Sequence, residues 1–244
     1  SPDHAVGDYS MGFIERRRRE EAILVMRATQ WRLNEQAIRW AAIFHDVANA
    51  FPSVAREALD EQVGARARQG DGELIRQRYR RASIMVESED ASLYWGAPQC
   101  GSLRGDGPSA QQFSAAYDPA HESAVEDSTT LYEEIVLSTV EPLSGTTLTL
   151  NRVRFADDAA QLVVHRGLAS LEKRIAEVDA SFGARCSDVG LKQQEKKKQV
   201  LATFDTVDEA AAAGKRWPAP LGVLTGTARH LGTLYARRVG YRKS

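Results

Sequence analysis

The sequence predicts an α+β fold: a mainly antiparallel sheet covered by helices. Two extended stretches, 147–155 and 161–164, meet at Ala156-Asp157-Asp158-Ala159, as strands joined by a tight acidic turn would. A short apolar run of strand length, Trp40 to Val47, ends in an acid and is followed by Pro52, where a helix can begin. Leu168, Leu171, Ile175, Val178 and Phe182 follow the steps of an amphipathic helix. Strands and helices alternate without a fixed repeat. With 244 residues, 43% of them hydrophobic, the chain is large and apolar enough for one continuous core.

Taken in order, Ile23, Met26, Leu33, Ala37 and Trp40 recur at helical spacing, so Glu15 to Arg39 is expected to form an amphipathic helix with an Arg-rich polar face. The next run is a buried strand with Asp46 at its end. Ser53 is expected to cap a helix holding Val54, Leu59 and Val63, and Gly70-Asp71-Gly72 to form a turn before a helix from Glu73 to Arg81. Ser83 to Glu87 and Ser92 to Trp95 look like a hairpin. The Gly-rich stretch from Gly96 to Gly107 leads to a helix beginning near Pro108, with Phe113, Ala116 and Tyr117 on one side. A further helix is expected over Thr130 to Val140. Pro218 and Pro220 mark a loop near the chain's end. The chain thus divides into a helical segment 1–43, a central body 44–209 and a basic C-terminal segment 210–244.

Charge is balanced in total, with 32 Lys and Arg against 33 Asp and Glu, but it is uneven along the chain. Between Gly107 and Asn151 there are seven acids and no Lys or Arg; from Ala210 onward there are seven bases and no acid. Counterion release depends on local charge, so the basic end is a plausible contact for a phosphate backbone, with a solvated surface as the alternative. No apolar run approaches the roughly 20 residues a membrane helix needs. Two cysteines, Cys100 and Cys186, are too few for a disulfide framework or a Cys-rich zinc site, and no apolar secretory segment opens the chain. A reducing intracellular compartment, nucleus or cytoplasm, is therefore expected. The Ser1-Pro2-Asp3 start fits a processed product or a piece of a longer protein. The five histidines show no zinc spacing, and the Gly-rich stretch is neither a Walker loop nor a dinucleotide fingerprint.

Three carboxylates stand out by position: Asp46 closes one strand, and Asp157 with Asp158 sits at the turn of a hairpin able to lie beside it. Hard cations prefer carboxylate oxygen, and Mg²⁺ is typically held by one or two carboxylates plus substrate phosphates. Two such ions can clamp the attacking and leaving oxygens of an in-line phosphoryl displacement, so nucleotidyl transfer is the chemistry indicated. Each acid alone reads equally well as an ordinary turn or strand-end residue.

The order of motifs resembles that of the reverse transcriptases, particularly those of non-LTR retrotransposons and group II introns. Phe44-His-Asp46-Val-Ala-Asn-Ala50-Phe51-Pro-Ser-Val54 is similar to the family's first palm motif, and Phe155-Ala-Asp157-Asp158 to its aromatic-Ala-Asp-Asp box. Between them, Gly101-Ser-Leu-Arg104-Gly105-Asp106-Gly-Pro-Ser109-Ala-Gln-Gln-Phe113 aligns to the family's Gly-rich loop and helix, with Arg104 where Gln is usual. Gly190-Leu-Lys-Gln-Gln-Glu-Lys-Lys197 resembles a downstream Gly-Leu segment, and His230-Leu231-Gly232 the primer-contact hairpin. These matches are collinear over about Glu15 to Leu234.

The resemblance implies a polymerase palm over 44–209, partial fingers before it and little or no thumb after it. It implies an RNA-directed DNA polymerase acting with Mg²⁺, or Mn²⁺ in its place, on an RNA template, a DNA primer and deoxynucleoside triphosphates. An endonuclease or other domains of a longer polyprotein are implied as further partners. Asp46, Asp157 and Asp158 would be the metal-site acids, and Lys197 would assist the leaving pyrophosphate, though Lys196 and Lys198 leave its register open. Phe51 would be a steric gate under the sugar, Arg104 and Gly105 would contact the nucleotide, and Leu231 and Gly232 the primer. The competing readings are a truncated, non-catalytic palm that only binds nucleic acid and an unrelated α+β protein with chance matches.

Overall fold

The structure, a computed structural model, describes residues 10–15, 17–102, 109–132, 137–140, 145 and 147–237. Helix α1 (Arg19–Glu35) turns Ala22, Met26 and Leu33 inward, and the next element, β1 (Trp40–His45), is buried on both faces. Trp40, Ala42 and Phe44 pack on the side that α1 covers, and Ala41 and Ile43 on the opposite side, the alternation a strand imposes. Burial on both sides is why β1 reads as an unbroken apolar run.

The chain continues through β2 (Val47–Ala48), α2 (Ala50–Ser53), α3 (Arg56–Arg66), α4 (Gln69–Arg80), β3 (Ile84–Glu87), β4 (Leu93–Gly96) and the long α5 (Ser109–Tyr132). Then come β5 (Ser138–Val140), β6 (Thr147–Thr149), β7 (Arg152–Phe155), β8 (Asp158–Val164), α6 (Leu168–Asp188), β9 (Lys192–Gln193), β10 (Gln199–Ala202) and α7 (Val207–Arg216). Last are β11 (Val223–Thr225) and the hairpin β12 (Thr227–His230) and β13 (Thr233–Ala236). The main sheet has the order β11-β10-β1-β8-β7, antiparallel except for the β10–β11 pair. On one face α1 and the β12–β13 hairpin bury Met26, Ala228, Leu231 and Tyr235 against Trp40, Phe44 and Leu162. On the other, α6 and α7 bury Leu171, Ile175, Val178 and Ala213 against Ala41 and Ile43. A third cluster gathers Val47, Val54, Leu59, Phe113, Tyr117 and Phe182 around the end of β1, where α2, α3 and α5 converge. Among the described residues no helix is long and apolar enough to cross a membrane.

Four local expectations are corrected. Ser53 does not cap α3, whose N-cap is Ala55; Pro52 fits the first turn of a short helix, so α2 starts earlier and takes Ser53 as its last residue. Gly70-Asp71-Gly72 is not a turn but the opening of α4, where Asp71 sits favourably at the positive end of the helix dipole. Among the described residues of the stretch from Thr130 to Val140, α5 runs through Pro119 to Tyr132, and Ser138–Val140 pairs with β6 as a strand suited to Thr139 and Val140 rather than continuing as a helix. The first half of the predicted extended pair splits in two, β6 joining β5 while β7 joins β8.

Candidate active site

The pairing of β1 with β8 ends at His45 opposite Ala159, so Asp46 and Asp158 are the residues that follow at that end of the two strands. Both acids line a cleft of about 300 Å³ with Phe44, Lys196, Lys197, Gln199, Arg229 and His230. Burial, reinforced by the neighbouring charges of Asp157 and Asp46, pushes the Asp158 carboxyl up to about 6, and Lys197 opposes the rise. Asp157 occupies the turn itself, half-buried, between Phe155 and Asp158, which pair across the hairpin. The Lys197 ammonium lies 2.8 Å from Asp46 Oδ2, and that contact raises the lysine's pKa, with Asp157 and Asp158 adding to it. All three predicted acids and Lys197 therefore share one electrostatic neighbourhood. Among the described residues no three His, Cys, Asp or Glu side chains converge tightly enough to hold a metal unaided.

The lysine run is sorted by local pairing. Val47 and Ala48 pair with Gln193 and Lys192, and the Gln194 amide donates to the Asp46 carbonyl at 2.8 Å, zipping this segment to the flank of Asp46. A 3₁₀ turn over Glu195–Lys197 follows. It directs Lys197 to Asp46 and turns Lys198 inward. Lys198 is fully buried, donating to Asp179 at 2.7 Å, Glu195 at 2.8 Å and the Pro220 carbonyl at 2.9 Å. Asp179 also accepts from Gln193, whose amide nitrogen lies 2.9 Å from His45 Nδ1. His45 stacks on Phe182 with 4.1 Å between ring centroids, and burial pulls its pKa down to about 4, so it is neutral beside the acids.

Behind the turn lies a residue that the sequence reading missed. Arg154 of β7 is fully buried, ion-paired with Asp118 of α5, stacked 5.0 Å over the Tyr117 ring, and donating to the Ala156 carbonyl at 2.7 Å. It ties the acidic turn to α5. The available signal was a pair of arginines, Arg152 and Arg154, in a short strand whose burial the flanking apolar residues imply, and an acid on a helix without Lys or Arg. That acidic stretch is partly matched in this way, since Asp127 of α5 pairs with Arg185 of α6 at 2.7 Å.

Phe51 sits in α2, half-buried, its ring 4.6 Å from Phe113 and 6.0 Å from Phe13. The start of the Gly-rich stretch hooks onto the same segment: the Gly101 amide donates to Val54 and the Ser102 amide to Phe51. Gly101 has φ +77°, and a Cβ there would lie 2.3 Å from the Pro52 carbonyl oxygen, so only glycine fits. Arg104 and Gly105 lie outside the described residues. Leu231 and Gly232 form the two-residue turn between β12 and β13, with Leu231 buried in the core under α1 and Gly232 exposed. Arg229 and His230 bring that hairpin to the cleft, and burial holds the His230 pKa down at about 4.

No protein-family model matches the sequence, and no curated protein matches it either. Among solved structures, the chain is similar to apo telomerase from Candida tropicalis truncated from its C-terminal domain. The TM-score is 0.54 at 12% identity, over 80% of this chain and 36% of that one. It is also similar to apo telomerase from the same organism, with a TM-score of 0.50 at 12% identity over 78% of this chain and 32% of the other. The chain thus spans about a third of the length of these telomerases. The likeness shows the fold, an α+β palm-type sheet of the kind reverse transcriptases share.

Proposed function

We propose that this chain is the palm of an RNA-directed DNA polymerase, transferring nucleotidyl groups from deoxynucleoside triphosphates to a primer 3′-hydroxyl on an RNA template. The observation that carries the reading is that Asp46 and Asp158 line one cleft with Lys197, within electrostatic reach of each other and of Asp157. Its assignment to the non-LTR retrotransposon and group II intron type rests on the order of the sequence motifs.

The donor set fits Mg²⁺ or Mn²⁺. It is all carboxylate oxygen, and the negative charges of Asp157 and Asp46 add to burial in raising the Asp158 pKa, a repulsion that a divalent cation would offset. Asp46, Asp157 and Asp158 would hold it, with substrate phosphates completing the coordination that these residues do not supply alone. When bound, the metal would lower the pKa of the primer hydroxyl and neutralise charge growing on the triphosphate. The chain's own residues do the positioning. Lys197 keeps its proton at Nζ beside Asp46, from where it can turn to the departing pyrophosphate. On this reading Phe51 would gate the sugar, Arg104 and Gly105 would contact the nucleotide and the Leu231-Gly232 turn the primer, while Lys196 and Arg229, which line the cleft, would offer charge to phosphates.

The test is extension of a DNA primer on an RNA template with Mg²⁺, comparing the wild type with Asp157→Asn. Extension lost in the variant is the expected result, and extension unchanged would remove the assigned metal site. One observation favours a second reading, a palm that binds nucleic acid without polymerising: the Lys197–Asp46 ion pair already neutralises one acid. Template binding with no extension by either protein, in Mg²⁺ or Mn²⁺, is its signature.

A further inference from the structure

Ser10 to Phe13, far from the motifs in sequence, lie across both the acidic turn and the gate. Ser10 bridges to Arg154 in parallel register, and the Met11 amide donates to the Arg154 carbonyl at 2.8 Å. Arg154 in turn donates to the Ser10 hydroxyl. Gly12 then passes so close to the turn that a Cβ would lie 2.2 Å from the Ala156 nitrogen. Ala156 itself has φ +58°, a left-handed conformation costly for a residue with a side chain and kept only where surroundings hold it. The next residue, Phe13, sets its ring at 79° to the Phe51 ring, centroids 6.0 Å apart. Phe113 backs Phe51 from the core, and the half-exposed Phe13 stands on the outer side.

We propose that Phe13 is a positioning residue for sugar selection, bracing the Phe51 ring against outward displacement, and that Gly12 anchors the brace to the turn carrying Asp157. The proposal rests on the polymerase reading for the role of Phe51. A gate excludes a 2′-hydroxyl only while its ring cannot yield. Phe113 blocks retreat into the core, and Phe13 occupies the outer side.

The test is steady-state extension by the full chain on an RNA template with dUTP or UTP varied, giving kcat and KM separately for the wild type, Phe13→Ala and Phe13→Tyr. Phe13→Ala is expected to lower the dUTP-over-UTP ratio of kcat/KM by about tenfold or more, mainly through the KM for UTP, the usual scale for steric discrimination in a pocket. Phe13→Tyr, which keeps the ring, should hold the ratio within about threefold of wild type. A merely structural role would depress both nucleotides alike. Gly12→Ala separates anchor from brace, since it displaces the turn and should lower kcat for both nucleotides. A ratio unchanged in Phe13→Ala, or lost equally in Phe13→Tyr, overturns the proposal.

Equilibrium binding of dUTP and UTP to the same proteins, with Mg²⁺ and no primer, keeps the two readings apart. A sugar preference in binding that Phe13→Ala removes, in a wild type that extends nothing, sinks the polymerase and leaves the brace standing. Extension by the wild type with an unaltered ratio in Phe13→Ala does the reverse. A wild type that neither binds nor extends overturns both.

Discussion

The wall of the cleft and the charged network behind it use the same residue types and treat charge in opposite ways. In the wall, Asp46 and Asp158 crowd one another beside Asp157, and the exposed Lys197 faces them, with Lys196 and Arg229 lining the same cleft. Behind it, Lys198 has three acceptors, and Arg154 is shared among Asp118, Ser10 and the Ala156 carbonyl. Buried charge is tolerated only when paired and hydrogen-bonded, so the backing holds the fold together. The wall keeps like charges together at a cost to stability, the pattern expected where a ligand is to complete the site.

The largest effect that would sharpen this contrast is at Asp158. Asp158→Asn removes one of the repelling charges, so primer extension should fall by about two to three orders of magnitude or more, the several kcal/mol that a metal-site charge supplies. The thermal midpoint should hold or rise. Loss of activity together with loss of stability would break the contrast, because it would place Asp158 with the structural charges.

The wall was the more legible region in the sequence, for physical reasons. Asp46 follows an apolar run that only a doubly buried strand explains, and Asp157-Asp158 interrupts two extended segments where a turn must fall. The backing was opaque because its partners are distant in sequence: Asp118 and Arg154 are 36 residues apart, and the Ser10 bridge to Arg154 spans 144. Lys197 and Lys198 were indistinguishable, since a lysine run carries no periodicity and a 3₁₀ turn decides which of them goes inside. Ser53 misled because the helix-starting effect of Pro52 outweighed capping preference. Pro119 inside α5 shows packing overriding local propensity, as Phe113, Ala116, Tyr117 and Ala124 bury one helix face in the third core cluster.

The next effect in size is on stability. Lys198→Met leaves Asp179 and Glu195 without their shared cation, and breaking a buried pair in this way costs roughly 3–5 kcal/mol. Denaturant unfolding with the slope unchanged would measure it. A cost near zero would mean that the network is as dispensable as a surface pair, and the contrast would fail from the other side.

Buried histidines extend the contrast to pH. His165 and His230 are buried, and burial pulls both pKa values from 6.5 down to about 4. The unfolded chain therefore takes up protons at these sites at a pH where the folded chain does not. Their contribution is complete above about 6.5 and declines as pH falls toward about 4, by up to about 3 kcal/mol for each. His165→Phe should keep the edge contact with Phe204 and flatten part of the acid limb between those limits. An acid limb identical to wild type would show that His165 is already protonated in the fold.

The smallest effect, and the most discriminating beside Lys198, is at Lys197. Its ammonium is 66% exposed and Asp46 is 24% exposed, so water screens the pair and long side-chain entropy offsets it. Lys197→Met should therefore move the thermal midpoint by no more than about 2 °C. The same substitution removes the cation paired with Asp46 and leaves Lys196 and Arg229 as the basic residues of the cleft. Mg²⁺ should then raise the variant's midpoint more than it raises that of the wild type, because ion binding to the folded state stabilises it in proportion to affinity. Equal Mg²⁺ shifts in the two proteins would mean that Lys197 does not compete with the cation for Asp46, and the cleft wall would lose its claim to be an open charge site.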